Sequence, residues 1–198
     1  MTHPIEIESY RRLEARVDLA QLPPGTRAVV ARVIHATADV DFAASLQMTE
    51  DSVAAGAAAL AAHSPVIVDV EMVRAGISGL DAECHLGRAR AARVSGTHTL
   101  SALAMQLAAE KHPDGAVFVV GCAPTALDQL LDLVDSGAVR PALVVGVPVG
   151  FVGATEAKDR LRRTTGVKSI SNVGERGGSA VAAAIVNALV RLGDAQSV

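Results

Sequence analysis

The sequence predicts an α/β protein built on a doubly wound, mainly parallel sheet of five strands, with a group of helices at its N-terminal side. Three observations carry this expectation. Apolar runs rich in β-branched residues recur along the chain, and helical patterns stand between them. The runs are continuous rather than alternating, as suits strands covered on both faces. Strands separated by helices are the pattern of a parallel sheet with crossover connections.

In chain order, about three helices precede the first clear strand. The strand candidates are PVIVDV (65–70), GAVFVVG (115–121) and PALVVGV (141–147), with shorter or more polar candidates at VKSISNV (167–173) and AECHL (82–86). THTLSALAMQLAAEKH (97–112) places Leu100, Leu103, Ala104 and Leu107 at helical spacing. PTALDQLLDLVDSG (124–137) opens on Pro124, which fits a first helical turn, and closes on Gly137. ATEAKDRLRRTTG and SAVAAAIVNALVRLG repeat the scheme. No repeat, low-complexity segment or long linker divides the chain, so residues 1–198 read as one domain.

Composition narrows the function. Half of the 198 residues are hydrophobic, enough for a sizeable core, but only 2% are aromatic. That mass of Ala and Val suits close helix–sheet packing rather than a base-stacking surface. A formal net charge of −3 gives no electrostatic case for nucleic acid. The N-terminus is polar and amphipathic, unlike a signal peptide, and no run approaches a membrane span. Cys84 and Cys122 stand far apart, which points to a reducing cytoplasm rather than a disulfide framework. Six histidines without HxxxH or HxH spacing give no metal site.

In an open α/β sheet, ligands gather at loops leaving the carboxyl ends of strands. Those loops are DVEMVRAGISG, GCAPTA, GVPVGFVG and GERGGS, with glycines concentrated in the last two. GERGGSAVAAA reads either as an anion cradle, with Arg176 and the amides of Gly177, Gly178 and Ser179, or as a plain strand-to-helix turn with a serine cap. GCAPTA reads either as a tight turn or as a ligand-facing loop with Thr125 as a hydroxyl donor. Cys122 within it reads as a packed, inert thiol. His35, in VIHATADVD, reads either as a satisfied core residue or as an acid/base, since imidazole exchanges protons near neutral pH. Arg32 lies three residues earlier, so both side chains can reach one pocket on a helix. Thr37, Asp39 and Asp41 then form a polar turn.

Several stretches together resemble one family. ARVIHATADVDFA, CAPTALDQLLDL, RPALVVGVPVGFVGATEAKDRL and GERGGSAVAAAIVNAL are similar to precorrin-8X methylmutase, also called cobalt-precorrin-8 methylmutase, and the likeness runs from IEIESY to VNAL. The resemblance implies a flavodoxin-like fold, usually a homodimer, and a reaction late in corrin-ring synthesis for vitamin B12. In that reaction a methyl group moves from C-11 to C-12 of a tetrapyrrole by a formal 1,5-shift, without metal or organic cofactor. It further implies His35 as proton donor and acceptor, with Arg32 and Ser9 touching substrate. Arg176, Thr125 and the glycine-rich loops can meet the carboxylate arms of such a substrate.

The chain departs from the family pattern at three places. Cys122 stands for an asparagine, while Gly79 and His98 stand for arginines. Two basic contacts to substrate carboxylates are therefore expected to be lost on one side of the pocket. A non-catalytic corrinoid carrier on the same scaffold, or a related tetrapyrrole enzyme with an altered substrate, are the competing expectations. The sequence leaves open whether the substrate carries cobalt.

Overall fold

The computed structural model describes residues 3–92 and 99–196. Three helices come first: α1 (Pro4–Glu14), α2 (Pro24–Thr37) and the single turn α3 (Phe42–Ser45). Strand β1 (Leu46–Met48) and helix α4 (Glu50–Ala61) follow, leading into β2 (Val66–Val68). Next come α5 (Glu71–Gly76), β3 (Glu83–Cys84), α6 (Leu86–Ala92) and α7 (Leu100–Lys111). The chain then alternates through β4 (Val117–Val120), α8 (Pro124–Asp135), β5 (Leu143–Gly146), α9 (Ala154–Arg163), β6 (Ser169–Asn172) and α10 (Ser179–Gln196).

The sheet has six strands in the order β1-β6-β5-β4-β2-β3. All neighbours pair in parallel except β1, which runs antiparallel to β6. Taken in chain order, the parallel strands fall in the flavodoxin order, with the reversal between β2 and β4. Each of the five anticipated strands is present inside its anticipated range. The sixth, β1, corrects the five-stranded expectation. Its sequence, Leu-Gln-Met, has no β-branched residue, and only Leu46 is buried. An edge strand of three residues pairs through its backbone and needs no apolar run, so it left no pattern to read.

Strand side chains alternate between two apolar layers, as the pleat requires. Val66, Val68, Val117, Val119, Leu143 and Val145 face one layer; Ile67, Phe118, Val120 and Val144 face the other. The first is covered by α2, α4, α5 and α10, and the second by α7, α8 and α9. Among the described residues no helix is long and apolar enough to cross a membrane.

Helix ends follow from local chemistry. The Thr49 side chain accepts from the Ser52 amide and caps α4, with Glu50 and Asp51 in the first turn. The Glu50 carboxylate also accepts from the amides of Gly25 and Thr26 at 2.7 and 2.9 Å, capping α2 from outside. Helix α2 ends where Ala38 turns left-handed, with φ 55°. The anticipated polar turn follows, as Asp39 N meets Thr37 Oγ1 and Asp41 N meets Asp39 Oδ1.

Candidate active site

Helices α1 and α2 meet through matched three-residue spacings. On α1, Glu6, Ser9 and Leu13 face α2; on α2, Arg32 and His35 face α1. Ser9 Oγ lies 2.8 Å from His35 Nδ1. Glu6 Oε1 accepts from Arg32 Nη1 at 3.0 Å, and Leu13 is buried. The Tyr10 ring stacks on the imidazole, with centroids 5.0 Å apart and planes 12° off parallel. Among the described residues, His35 Nε2 has no hydrogen-bond partner. One ring nitrogen is tethered and the other is left open.

An open cavity of about 580 Å³ lies against this pair. Its walls are Pro4, Ile5, Glu8, Ser9, Arg12, Leu13 and Arg16 on the α1 side, and Ile34, His35, Ala38 and Val40 on the other. An apolar hollow with a few polar groups converging on it is the usual form of a small-molecule site. His35 sits in the last turn of α2.

Arg32 is turned to Glu6 beside the cavity and does not line it. Arg191 from α10 donates to the same Glu6 oxygen at 2.9 Å. The Arg191 hydrogen bond, then the charges of both arginines, hold the Glu6 carboxyl below its ordinary range. Arg32 Nε is buried and has no hydrogen-bond partner.

The glycine-rich loop reaches the site through Arg176. Its guanidinium is ion-paired with Asp39 and lies 2.9 Å from Asp41, the two acids of the turn after His35, and it packs over the Phe42 ring. Gly177 and Gly178 press against the loop after β5: Gly178 N donates to Val147 O at 2.9 Å. Gly178 stands at the cap position of α10, and its carbonyl accepts from Ala182 N. Ser179 is therefore the first residue of the helix rather than its cap. Lys158, fully buried, donates to Arg176 O at 2.7 Å and Asn172 Oδ1 at 3.3 Å, holding this loop from below.

The loop after β4 is fixed by Asp69, a buried carboxylate at the end of β2. It accepts from the amides of Gly121, Cys122 and Ala123 at 3.0, 2.8 and 2.8 Å. Burial pushes the Asp69 carboxyl up, and the three amides pull it back. Asp69 thus bridges β2 and β4 at the topological switch point. Thr125, exposed in the first turn of α8, shares a 2.7 Å hydrogen bond with Thr99. Cys122 is exposed rather than packed as the sequence suggested, because its backbone amide, not its thiol, faces the interior. Burial, then the Asp69 charge, raise its thiol above the ordinary range. Gly79 has a φ of 84° in the segment between α5 and β3. His98 lies outside the described residues.

The structure therefore brings Ser9 and His35 together on one wall, with Arg32 adjoining and Arg176 linked through the turn 39–41. Thr125 and Ser179 stand at the starts of α8 and α10 and share no hydrogen bond with either. Sequence reasoning assigned no role to Glu6, Tyr10, Asp69 or Lys158. The i, i+3, i+4 series Glu6, Ser9, Tyr10 was a usable signal for the first two.

Fold and site together define a doubly wound α/β protein with a helix-borne histidine, tethered at one ring nitrogen, beside an apolar cavity. A family model described as precorrin-8X methylmutase matches residues 4–192. The precorrin-8X methylmutase of Pseudomonas aeruginosa is 42% identical over 191 residues, covering 92% of this chain and 91% of that protein. The cobalt-precorrin-8 methylmutase of Methanocaldococcus jannaschii is 39% identical over 164 residues, covering 82% of this chain and 77% of that protein. The crystal structure of precorrin-8x methyl mutase from Thermus thermophilus superposes with a TM-score of 0.88 at 35% identity, covering 99% of this chain and 100% of that one. The chain belongs to the precorrin-8X methylmutase family, the isomerases of cobalamin biosynthesis.

Proposed function

We propose that the protein, acting as one domain over residues 1–198, moves the methyl group of precorrin-8X, or of cobalt-precorrin-8, from C-11 to C-12. The product is hydrogenobyrinate or cobyrinate. The observation that carries the reading is the tethered imidazole: Ser9 holds His35 Nδ1 at 2.8 Å and leaves Nε2 open. A proton given from Nε2 makes the macrocycle electron-poor and lowers the barrier to migration. The methyl then shifts within the ring, and His35 takes the proton back. Atoms and electrons balance inside the substrate, so the reaction calls for no co-substrate.

Ser9 and Tyr10 fix the ring's position and tilt, which is how a proton-transfer geometry is held ready. Arg32 holds Glu6 beside the cavity, and the loop 176–179 supplies donors for carboxylate arms. A homodimer in the cytoplasm is part of the same proposal, resting on the family resemblance.

The test is His35→Asn, which keeps much of the side chain's shape and removes the acid/base. It should fold normally, still bind hydrogenobyrinic acid, and turn over precorrin-8 about a hundred- to ten-thousand-fold more slowly. A folded variant converting precorrin-8 at the parent rate would refute the role of His35. A parent protein that binds the product but never converts precorrin-8 would leave the carrier reading in its place.

A further inference from the structure

We propose that Arg16, with Arg12 one turn before it, takes a carboxylate arm of the substrate at the α1 wall of the cavity. The assignment rests on the tetrapyrrole reading above and names contacts that the family pattern does not supply. Of the arginines around the site, Arg32 shares Glu6 with Arg191 and does not line the cavity, and Arg176 is held by Asp39 and Asp41. Neither is an uncommitted charge. Arg12 and Arg16 both line the cavity, four residues apart on one side of α1 and its end.

The charges there do not cancel. The one acid on that wall, Glu8, accepts two hydrogen bonds from Arg11 and one from Arg12. Those arginines hold its carboxyl at about 2, so it is ionised and already doubly countered. Among the described residues the Arg16 side chain has no ion pair and no hydrogen bond. An unmatched guanidinium thus stands at the rim of a hollow whose floor is apolar, formed by Ile5, Leu13, Ile34 and Val40.

That arrangement selects a ligand class. A flat, largely apolar ring fits the floor, and an acid projecting from its edge meets a planar fork of donors that binds carboxylate two-pronged. This cation lies on the opposite side of the chain's order from Gly79 and His98, where the family's arginines are missing.

The experiment is titration with hydrogenobyrinic acid and with the same corrin after its carboxylates are converted to amides, followed by absorbance. Arg16→Gln should weaken binding of the acid about three- to thirty-fold and reduce the dependence of affinity on salt. Arg16→Glu should weaken it further. The amidated corrin should bind the parent and Arg16→Gln alike. Arg163→Gln, which removes the same charge from an exposed site on α9, should bind the acid as the parent does. If Arg16→Gln binds the acid like the parent, or loses equally for acid and amide, the assignment is wrong. A parent that neither binds nor converts corrinoids overturns the proposed function itself, a separate result read in the same assay.

Discussion

Lys158 is a cation with no exposure, held between a backbone carbonyl and an amide oxygen rather than a carboxylate. Burial is the main cause that pushes its ammonium down to about 8. A lysine in the unfolded chain keeps its proton to about pH 10.4. Between those values the unfolded chain binds more protons than the native one, so stability should rise with pH across that window. Below about pH 8 the native ammonium costs stability. Lys158→Met should remove this dependence. Urea midpoints at about pH 7.5 and about pH 9.5 measure it, with at most about 1.4 kcal/mol per pH unit separating parent from variant. Parallel pH profiles would count against a buried ammonium. At this scale the sequence was only partly legible. His35 and Ser9 stand in motifs with recognisable neighbours, and they prove to touch. Lys158 stands in an equally visible motif, yet its partner is the carbonyl of Arg176, and a carbonyl leaves no signature in a side-chain pattern. Asp69 was hidden for the same reason, since its partners are three amides.

At the scale of elements, the loops after β5 and β6 form a single interlocked unit. Gly150 N donates to Glu175 O at 3.1 Å, and Gly178 N to Val147 O at 2.9 Å. Gly177 lies at their closest approach, with φ 154°, and a Cβ there would sit 2.3 Å from Val147 O. Both the conformation and the space exclude a side chain. Gly177→Ala should destabilise the protein by about 2–4 kcal/mol in denaturant unfolding. Gly87→Ala, inside α6 with nothing within 4 Å of the new atom, should be neutral or stabilising by up to about 1 kcal/mol. Equal effects from the two would mean the loops are not locked. Helix starts were the most legible elements, because Pro124 and the run after Gly178 are local signals. Strand β1 was the least, because its identity lies in its pairing with β6.

At the scale of the molecule, the parallel order and its reversal between β2 and β4 follow from the strand–helix alternation visible in the sequence. The route of α1 across α2, which assembles the cavity, does not. It depends on long-range pairs such as Glu6 with Arg191. The loop after β5 also leaves Phe151 90% and Val152 88% exposed. A homodimer that buried this loop would cover them. Sedimentation equilibrium should give twice the 20.3 kDa chain mass, and Phe151→Asp should shift it toward the monomer. A parent protein that sediments as a monomer at micromolar concentration would contradict this.

Helix α1 puts Ser9, Tyr10 and Arg12 at or beside the site, with Arg16 just past its end, yet of the helix's own residues only Leu13 is buried. The wall that α1 lends to the site is therefore held by fewer buried side chains than α2, the core helix that carries His35. A protease nick in the segment that follows, where Ala15, Arg16 and Asp18 are exposed, would silence the enzyme while a melting curve scarcely moved. For this molecule a sharp thermal transition certifies the sheet. It says nothing of whether the front wall of the site is still attached.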